Sequence, residues 1–210
     1  MATPLFLVTG FGAFEDVTEN ASARIVERLL AEPPSGIELC GRVLPVSFVR
    51  SAEAIDEALR ELLPRRPDFL FSMGVCPGGA MRLERRAGIR LRFDRPDVDG
   101  LGGESVSLGG PDLETPLDLE PLAALLAHAG ACEVQVSSDA GAYVCERVYR
   151  HVLEAGARLS IPALFLHLPR ADVVPVDEQI GPVRALLAHL AQQSFQAQIS
   201  SARSGRSRGS

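Results

Sequence analysis

Apolar residues along this chain form short continuous runs that alternate with longer segments in which apolar positions recur every three or four residues. Short continuous apolar runs are typical of buried strands, and the second spacing is typical of amphipathic helices. The runs predict strands over residues 4–10, 37–46, 67–75, 132–137 and 161–168. The helical spacing predicts helices over residues 22–31, 51–63, 119–129, 140–155 and 177–197.

This alternation of strands and helices predicts the fold class. Strands that are separated by helices pair in parallel, so we expect a three-layer α/β/α sandwich with a mostly parallel central sheet. Ligands bind such sheets at the carboxyl ends of the strands. Because no repeat or linker divides the pattern, residues 1–198 are predicted to form a single domain. The polar and basic residues 199–210 are predicted to form a disordered tail.

Residues 76–116 interrupt the alternation with repeated glycines. Within them, residues 82–95 contain six arginines and alternate between apolar and charged positions, which predicts a solvated or edge strand. A long glycine-rich excursion in a compact domain is more often functional than not, so we expect this segment to contribute to a site.

Composition narrows the classes of function. The 210 residues carry a net charge of −6, which gives no support to binding of nucleic acid or of an anionic membrane. All 21 positions that hold Lys or Arg are Arg, which excludes a Walker A loop and Schiff-base chemistry because both need lysine. No apolar run approaches the length of a transmembrane helix, and the N-terminus lacks the basic start of a signal peptide.

Four cysteines, Cys40, Cys76, Cys132 and Cys145, are scattered without a CxxC pair. This spacing makes a zinc ribbon or a thioredoxin-type site unlikely and predicts free thiols in a reducing compartment. Cys145 differs from the others because it lies where a predicted strand gives way to a helix. Backbone N–H groups at the start of a helix favour the thiolate form, although a thiol in an apolar helical stripe is also a common core residue.

Two further side chains are candidates for a thiol-based site. His167 ends the last predicted strand, where the alternative is an imidazole hydrogen-bonded in the core. Glu84 lies among closely spaced arginines, where the alternative is a solvated ion-pair cluster. A cysteine hydrolase needs an imidazole that activates its thiol and a carboxylate that orients the imidazole. Because Cys145, His167 and Glu84 all follow or end a predicted parallel strand, we expect them to meet at one edge of the sheet.

The turn at residues 10–15, after the first strand, starts like a dinucleotide-binding loop. Glu15 stands where that motif has its third glycine, and a carboxylate there would repel a pyrophosphate. The two phenylalanines of the turn, Phe11 and Phe14, either pack in the core or line an apolar pocket at the end of the strand.

Several segments, in order, make the chain resemble the pyroglutamyl-peptidase I family, also called pyrrolidone-carboxylate peptidases, from about residue 5 to residue 195. VTGFGAFEDVTENAS resembles the family's TGFxPF start with the Asn that follows it, and LPVSF resembles its second-strand motif. MGVCPGG followed by LERRA resembles the segment with the catalytic Glu, and DRPD resembles the ARIPDN stretch. SSDAGAYVCERVY resembles the SxxAGxxxCN signature, and LFLHLPR resembles the FIHxP motif.

The resemblance implies a cytosolic, metal-free cysteine exopeptidase that removes N-terminal pyroglutamyl residues from peptides. It also implies a homo-oligomer, often a tetramer. Because the pyroglutamyl ring is a neutral lactam, an apolar slot suits it. The residues that the resemblance implies are, for catalysis, Cys145 as nucleophile, His167 as base and Glu84, and, for substrate binding, Phe11, Phe14, Asn20 and Arg95.

The sequence also departs from the family. Glu146 stands where the family has Asn after the nucleophile, Ile89 stands where its ERVAIN motif has Asn, and the glycine segment before Glu84 is one residue shorter. A divergent relative with another specificity, or a non-catalytic binding or assembly protein of the same fold, is therefore an alternative. A nucleoside phosphorylase has a similar sandwich but needs an anion site, and the acidic first loop argues against one.

Overall fold

The structure, a computed structural model, describes residues 3–15, 17–92 and 94–206, and for residues 195–206 it describes the backbone alone. The strands are β1 (Leu5–Phe11), β2 (Glu38–Leu44), β3 (Phe69–Cys76), β4 (Met81–Glu84), β5 (Arg86–Ala87), β6 (Arg90–Leu91), β7 (Val106–Ser107), β8 (Leu113–Glu114), β9 (Val134–Ser137) and β10 (Ala163–Pro169). The helices are α1 (Ala21–Ala31), α2 (Arg50–Glu61), α3 (Leu119–His128), α4 (Val144–Leu159) and α5 (Val176–Arg206).

Six of these strands form the central sheet, in the order β2-β1-β3-β10-β4-β9. The first four run parallel to one another. Strand β4 runs antiparallel to its neighbour β10, and β9 pairs in parallel with β4. The sheet is therefore mostly parallel, as predicted, with two strands reversed at one side. Outside it, β5 pairs with β8 and β6 with β7 in short antiparallel ribbons.

Two apolar cores lie on opposite faces of this sheet. Helices α1, α3 and α5 cover one core, and α2 and α4 cover the other. Alternation along β10 sends Leu164 and Leu166 into the first core and Phe165 into the second. These layers confirm the predicted α/β/α sandwich. They also direct His167, two residues beyond Phe165, toward the α4 layer.

The segment 82–95 is not the solvated or edge strand that its arginines predicted. Its first residues belong to β4, which lies between β10 and β9 inside the sheet, whereas the edges of the sheet are β2 and β9. Glu84 is fully buried because its carboxylate faces an imidazole instead of solvent. The later arginines lie in the short ribbons and loops, and four of them, Arg85, Arg86, Arg92 and Arg95, form ion pairs with acidic side chains.

Helix α4 begins at Val144, four residues later than the periodicity predicted. The turn before it holds Gly141 at φ 91° and Ala142 at φ 53°, and a right-handed helix cannot include positive φ values. The strand before this turn is also shorter than predicted, since β9 begins at residue 134. As a consequence Cys145 lies in the first turn of α4 and not in its interior.

The last helix, α5, continues to Arg206 and so includes residues 199–206 of the predicted disordered tail. Residues 207–210 lie outside the described residues. The predicted domain boundary at residue 198 falls within this helix and stays a prediction.

Candidate active site

The side chains of Cys145, His167 and Glu84 meet on the face of the sheet that α4 covers. His167 Nδ1 lies 2.8 Å from Glu84 Oε1, and the imidazole also hydrogen-bonds with the thiol of Cys145. In the pairing of β10 with β4, Phe165 lies opposite Glu84, and His167 lies two residues further along β10. Side chains that are opposite each other, or two residues apart on one strand, project from the same face of a sheet, so Glu84 and His167 share a face. The structure thus brings the three groups together. Glu84 reaches the imidazole from a strand of opposite direction, not from the end of a parallel strand as predicted.

The surroundings of His167 favour its protonated form. Burial by itself lowers the pKa of the imidazole, but the hydrogen bond with Cys145 and the carboxylate of Glu84 act in the other direction and raise it to about 9. Because Nδ1 faces the carboxylate, Nε2 is the ring nitrogen that remains for the sulphur. An imidazolium in this position has the carboxylate of Glu84 beside it to compensate its charge. The arrangement can therefore donate a proton next to the thiol.

The start of α4 and a glycine of β3 together define the position of the Cys145 sulphur. No side chain caps α4 at Tyr143, and the N–H groups of a first helical turn have no partner in their own helix, so they can bind negative charge beside the sulphur. A Cβ at Gly74 would lie 2.8 Å from Cys145 Sγ and 3.1 Å from the ring of Phe165. Only glycine at position 74 leaves the thiol its space.

A cavity of about 150 Å³ opens beside the thiol. Its walls are mostly apolar, and they include all four residues that were predicted to bind substrate. These four are Phe11, Phe14, Asn20 and Arg95, and they share the lining with Val46, Cys76, Tyr143 and Cys145.

Arg95 lies against an aromatic wall of this cavity. Its guanidinium carbon is 4.9 Å from the centre of the Phe14 ring and 5.5 Å from that of Tyr143, and the group forms an ion pair with Glu15. The hydroxyl of Tyr143 donates a 2.8 Å hydrogen bond to the carbonyl of Pro96, and burial raises the pKa of this tyrosine to about 12. The wall therefore combines two rings with a cation whose charge is balanced by Glu15.

Asn20 has a structural role in addition to its place in the cavity lining. It is the N-cap of α1, where its Oδ1 accepts hydrogen bonds from the N–H of Ser22 at 3.1 Å and from the hydroxyl of Ser22 at 2.8 Å. Its amide nitrogen donates to the carbonyl of Gly12 at 3.0 Å. These bonds hold the turn that carries Phe11 and Phe14, so any contact of Asn20 with substrate must be tested separately from the cap.

Among the residues of the site that sequence reasoning missed, three bear on its chemistry. Gly74 is a glycine inside a buried strand, a pattern that signals the close approach of another group, and this signal was available. Tyr143 lies within the segment that carries Cys145 but was not assigned to the cavity. Cys76 also lines the cavity, and burial raises its pKa to about 11, so it stays a neutral thiol near Cys145.

Glu146, the departure that directly follows Cys145, is hydrogen-bonded to backbone groups of two loops. Its carboxylate accepts hydrogen bonds from the N–H of Gly88 and, at 3.3 Å, from the N–H of Ala142. Burial raises the pKa of this carboxyl, whereas the two N–H donors act in the opposite direction. The side chain is therefore part of the local framework of the site.

Within the part of the chain that the structure describes, no group of three or more His, Cys, Asp or Glu side chains could hold a metal ion. No helix in those same residues combines the length and the apolarity that crossing a membrane requires.

A sequence profile of the pyroglutamyl peptidase family matches residues 5–204. The chain belongs to this family. It is 30% identical over 169 residues to the pyrrolidone-carboxylate peptidase of Pyrococcus furiosus, a match that covers 78% of this chain and 79% of the relative. It is 29% identical over 193 residues to pyrrolidone-carboxylate peptidase 1 of Ralstonia nicotianae, covering 89% of this chain and 86% of the relative.

A solved structure shows the same fold. The pyrrolidone carboxyl peptidase of Fervidobacterium islandicum AW-1 aligns with a TM-score of 0.82 at 29% identity, and the alignment covers 90% of this chain and 99% of that one. The family that the motifs predicted is thereby confirmed. The chain is a cysteine peptidase of the pyroglutamyl type.

Proposed function

We propose that this chain removes the N-terminal pyroglutamyl residue from peptides, with Cys145 as nucleophile, His167 as general base and acid, and Glu84 as the carboxylate that orients the imidazole. One observation carries the assignment of these roles: a carboxylate, an imidazole and a thiol form a hydrogen-bonded series beside an apolar cavity. Membership of the family supports the substrate class.

In the first half of the reaction the Cys145 thiolate attacks the carbonyl carbon of the pyroglutamyl residue. The negative charge that develops on the carbonyl oxygen is stabilised by N–H groups at the start of α4. His167 then gives its Nε2 proton to the leaving amine, so that the peptide departs and a thioester forms with Cys145. Glu84 keeps the ring oriented and compensates its positive charge throughout this half.

In the second half a water molecule replaces the departed amine. Neutral His167 now accepts a proton from this water, and the resulting hydroxide attacks the thioester carbonyl. Collapse of the intermediate releases free pyroglutamate and restores the thiolate–imidazolium pair. The same imidazole thus acts first as an acid and then as a base, and a hydrogen bond to a buried carboxylate keeps it in one orientation in both steps.

The cavity suits a neutral ring better than a charged N-terminus. Phe11 and Phe14 supply apolar walls, and the flat guanidinium of Arg95 stacks on this surface. A lactam can leave water for such a site at small cost if its N–H and C=O find partners, whereas a free ammonium group cannot. We therefore propose these residues and Asn20 as the subsite for the pyroglutamyl ring.

The test is release of a fluorescent amine from a pyroglutamyl amide by the reduced protein. Cys145→Ala is expected to abolish turnover because it removes the nucleophile, and Cys132→Ala, at an exposed cysteine, is expected to leave turnover unchanged. The same amide made with free N-terminal glutamate should not be cleaved. Full activity in Cys145→Ala would refute the assigned nucleophile, and absence of turnover by the folded wild-type protein would refute the substrate class.

We also propose that copies of the chain associate, as a tetramer. Four apolar side chains of the glycine-rich segment, Val98, Leu101, Val106 and Leu108, have between 39% and 47% of their surface exposed, which supports a buried contact between copies. Light scattering after size-exclusion chromatography should give about four times the 22.4 kDa of one chain. Val106→Glu should lower that mass, and a single-chain mass for the wild-type protein would refute the proposal.

A cytoplasmic location is likewise proposed. It is supported by the four cysteines, which are all free in the structure, because a nucleophilic thiol persists best in a reducing compartment. Fractionation of cells that produce the protein should place the pyroglutamyl-amide activity in the cytoplasmic fraction, and activity confined to a secreted fraction would contradict the proposal.

A further inference from the structure

We propose that Glu146 is a positioning residue for the nucleophile, and that it acts by holding Ala142 in a left-handed backbone conformation. This inference rests on the role proposed for Cys145, which directly precedes Glu146 in the first turn of α4. It assigns a purpose to the side chain that directly follows the proposed nucleophile.

The geometry at the start of α4 is that of a displaced capping box. In a capping box the side chain of the third helical residue reaches back to the N–H of the N-cap residue. Here the third residue is Glu146, and the side chain of the N-cap, Tyr143, makes no capping hydrogen bond to the helix. The carboxylate reaches one residue further back and accepts the N–H of Ala142 at 3.3 Å.

Ala142 needs such a restraint because its φ of 53° is unfavourable for a residue with a Cβ. Its carbonyl accepts a 2.6 Å hydrogen bond from the N–H of Arg92. Both the N–H and the carbonyl of Ala142 are therefore hydrogen-bonded to other parts of the site. Released from Glu146, an alanine would favour negative φ. That change would redirect the chain three residues before Cys145 and move its sulphur relative to His167.

The second carboxylate oxygen explains why a glutamate, and not an amide, fits here. It accepts the N–H of Gly88, which lies four residues after Glu84, so the side chain joins the loop behind the orienting carboxylate to the loop before the nucleophile. Two N–H donors require two acceptors. A glutamine offers one acceptor and would turn its NH₂ toward the other N–H, and an asparagine is one methylene shorter.

The experiment compares Glu146→Gln with Glu57→Gln, which removes the same charge from an exposed position on α2. Two rates are measured on reduced protein: kcat/KM for a pyroglutamyl amide, and alkylation of Cys145 by iodoacetamide, followed by peptide mass spectrometry. We expect both rates to fall about tenfold to a hundredfold in Glu146→Gln, because a displacement of about 1 Å at a reacting group costs that much. Glu57→Gln should match the wild-type protein.

A rescue separates positioning from a general structural role. Glycine populates positive φ about as readily as negative φ, so Ala142→Gly is expected to restore Glu146→Gln to within about threefold of Ala142→Gly alone. A double variant that stays ten times or more below Ala142→Gly would overturn the proposal, and so would a folded Glu146→Gln with wild-type rates. If Glu146→Gln alone does not fold, the proposal is tested by comparing the rates of the double variant with those of Ala142→Gly alone.

The two rates also distinguish failure of this inference from failure of the proposed function. If the wild-type protein does not cleave the pyroglutamyl amide, the substrate assignment is wrong, and alkylation of Cys145 still tests Glu146. If the wild-type protein cleaves the amide and Glu146→Gln matches it in both rates, the function stands and the positioning role is refuted.

Discussion

Gly74 offers the sharpest test of the site because a single methyl group added there would press on Cys145, the proposed nucleophile. In Gly74→Ala the new Cβ would lie 2.8 Å from Cys145 Sγ, about 0.6 Å short of the 3.4 Å at which ordinary contact begins. The ring of Phe165, 3.1 Å from the same Cβ, blocks retreat of the strand on that side. The sulphur is therefore the group that must move, and it must move out of its hydrogen bond with His167.

The expected consequence is a loss of activity larger than the loss of stability. Overpacking of a dense interior by one methyl group costs about 1 to 3 kcal/mol of unfolding free energy, which a domain of this size can tolerate. A nucleophile displaced by a large fraction of an ångström loses about tenfold to a hundredfold in kcat/KM. Gly74→Ala should therefore fold and bind substrate but turn over slowly.

Gly79→Ala is the matched control, since its Cβ would meet nothing nearer than a Val173 methyl at 3.9 Å. Both variants are compared with the wild-type protein by pyroglutamyl-amide cleavage, iodoacetamide alkylation of Cys145 and urea unfolding. If Gly74→Ala is folded and its kcat/KM stays within twofold of Gly79→Ala, the reasoning about the space around the sulphur is wrong.

Three further predictions follow from the same site. Because the pKa of His167 is raised from 6.5 to about 9, its contribution to stability is complete below about pH 6.5 and is lost as the pH rises through about 9. The melting-temperature advantage of the wild-type protein over His167→Gln should shrink across that interval, and a constant advantage would contradict the assignment. Tyr149→Phe removes a buried 2.6 Å hydrogen bond to the carbonyl of Glu84 and should lower the unfolding free energy in urea by about 1 to 3 kcal/mol; an unchanged value would show that the bond contributes nothing. Asn20→Ser keeps an acceptor that can cap α1 but loses the hydrogen bond to the carbonyl of Gly12, so we expect a raised KM, and Asn20→Ala, which loses the cap as well, should be about 1 kcal/mol less stable than Asn20→Ser; equal melting temperatures for the two variants would argue against the cap.

The layers of the fold could be predicted from the sequence because they depend on local spacing. Apolar residues at helical intervals located the five helices, and continuous apolar runs located five of the six strands of the central sheet. The sixth strand, β4, was misread because its arginines suggested solvent. Glu84 is buried only because His167, 83 positions away in the chain, supplies a partner for its charge. A pattern that spans a few residues of sequence cannot indicate a partner that lies so far away in the chain.

The candidate site, like the fold, has some features that the sequence predicted and others that depend on tertiary contacts. The motifs identified Cys145, His167 and Glu84 by residue type and order, and they indicated the phenylalanines of the first turn. They did not indicate how much space the thiol has, because that depends on how closely α4 approaches Gly74 in β3. Nor did they indicate that Glu146 would accept hydrogen bonds from two loops, because Gly88 in one of them lies 58 positions away in the chain.

The sequence by itself therefore determined the kinds of elements, their order, the family and the chemical groups of the site. These properties depend on side-chain type and on spacing over a few residues, which a chain carries before it folds. The tertiary structure alone decided that β4 runs opposite to β10, that a thiol and a carboxylate raise the pKa of a buried imidazole, and that the carboxylate of Glu146 joins two loops. Each of these depends on groups far apart in the chain whose burial and hydrogen bonds exist only once the sheet and its helices have packed.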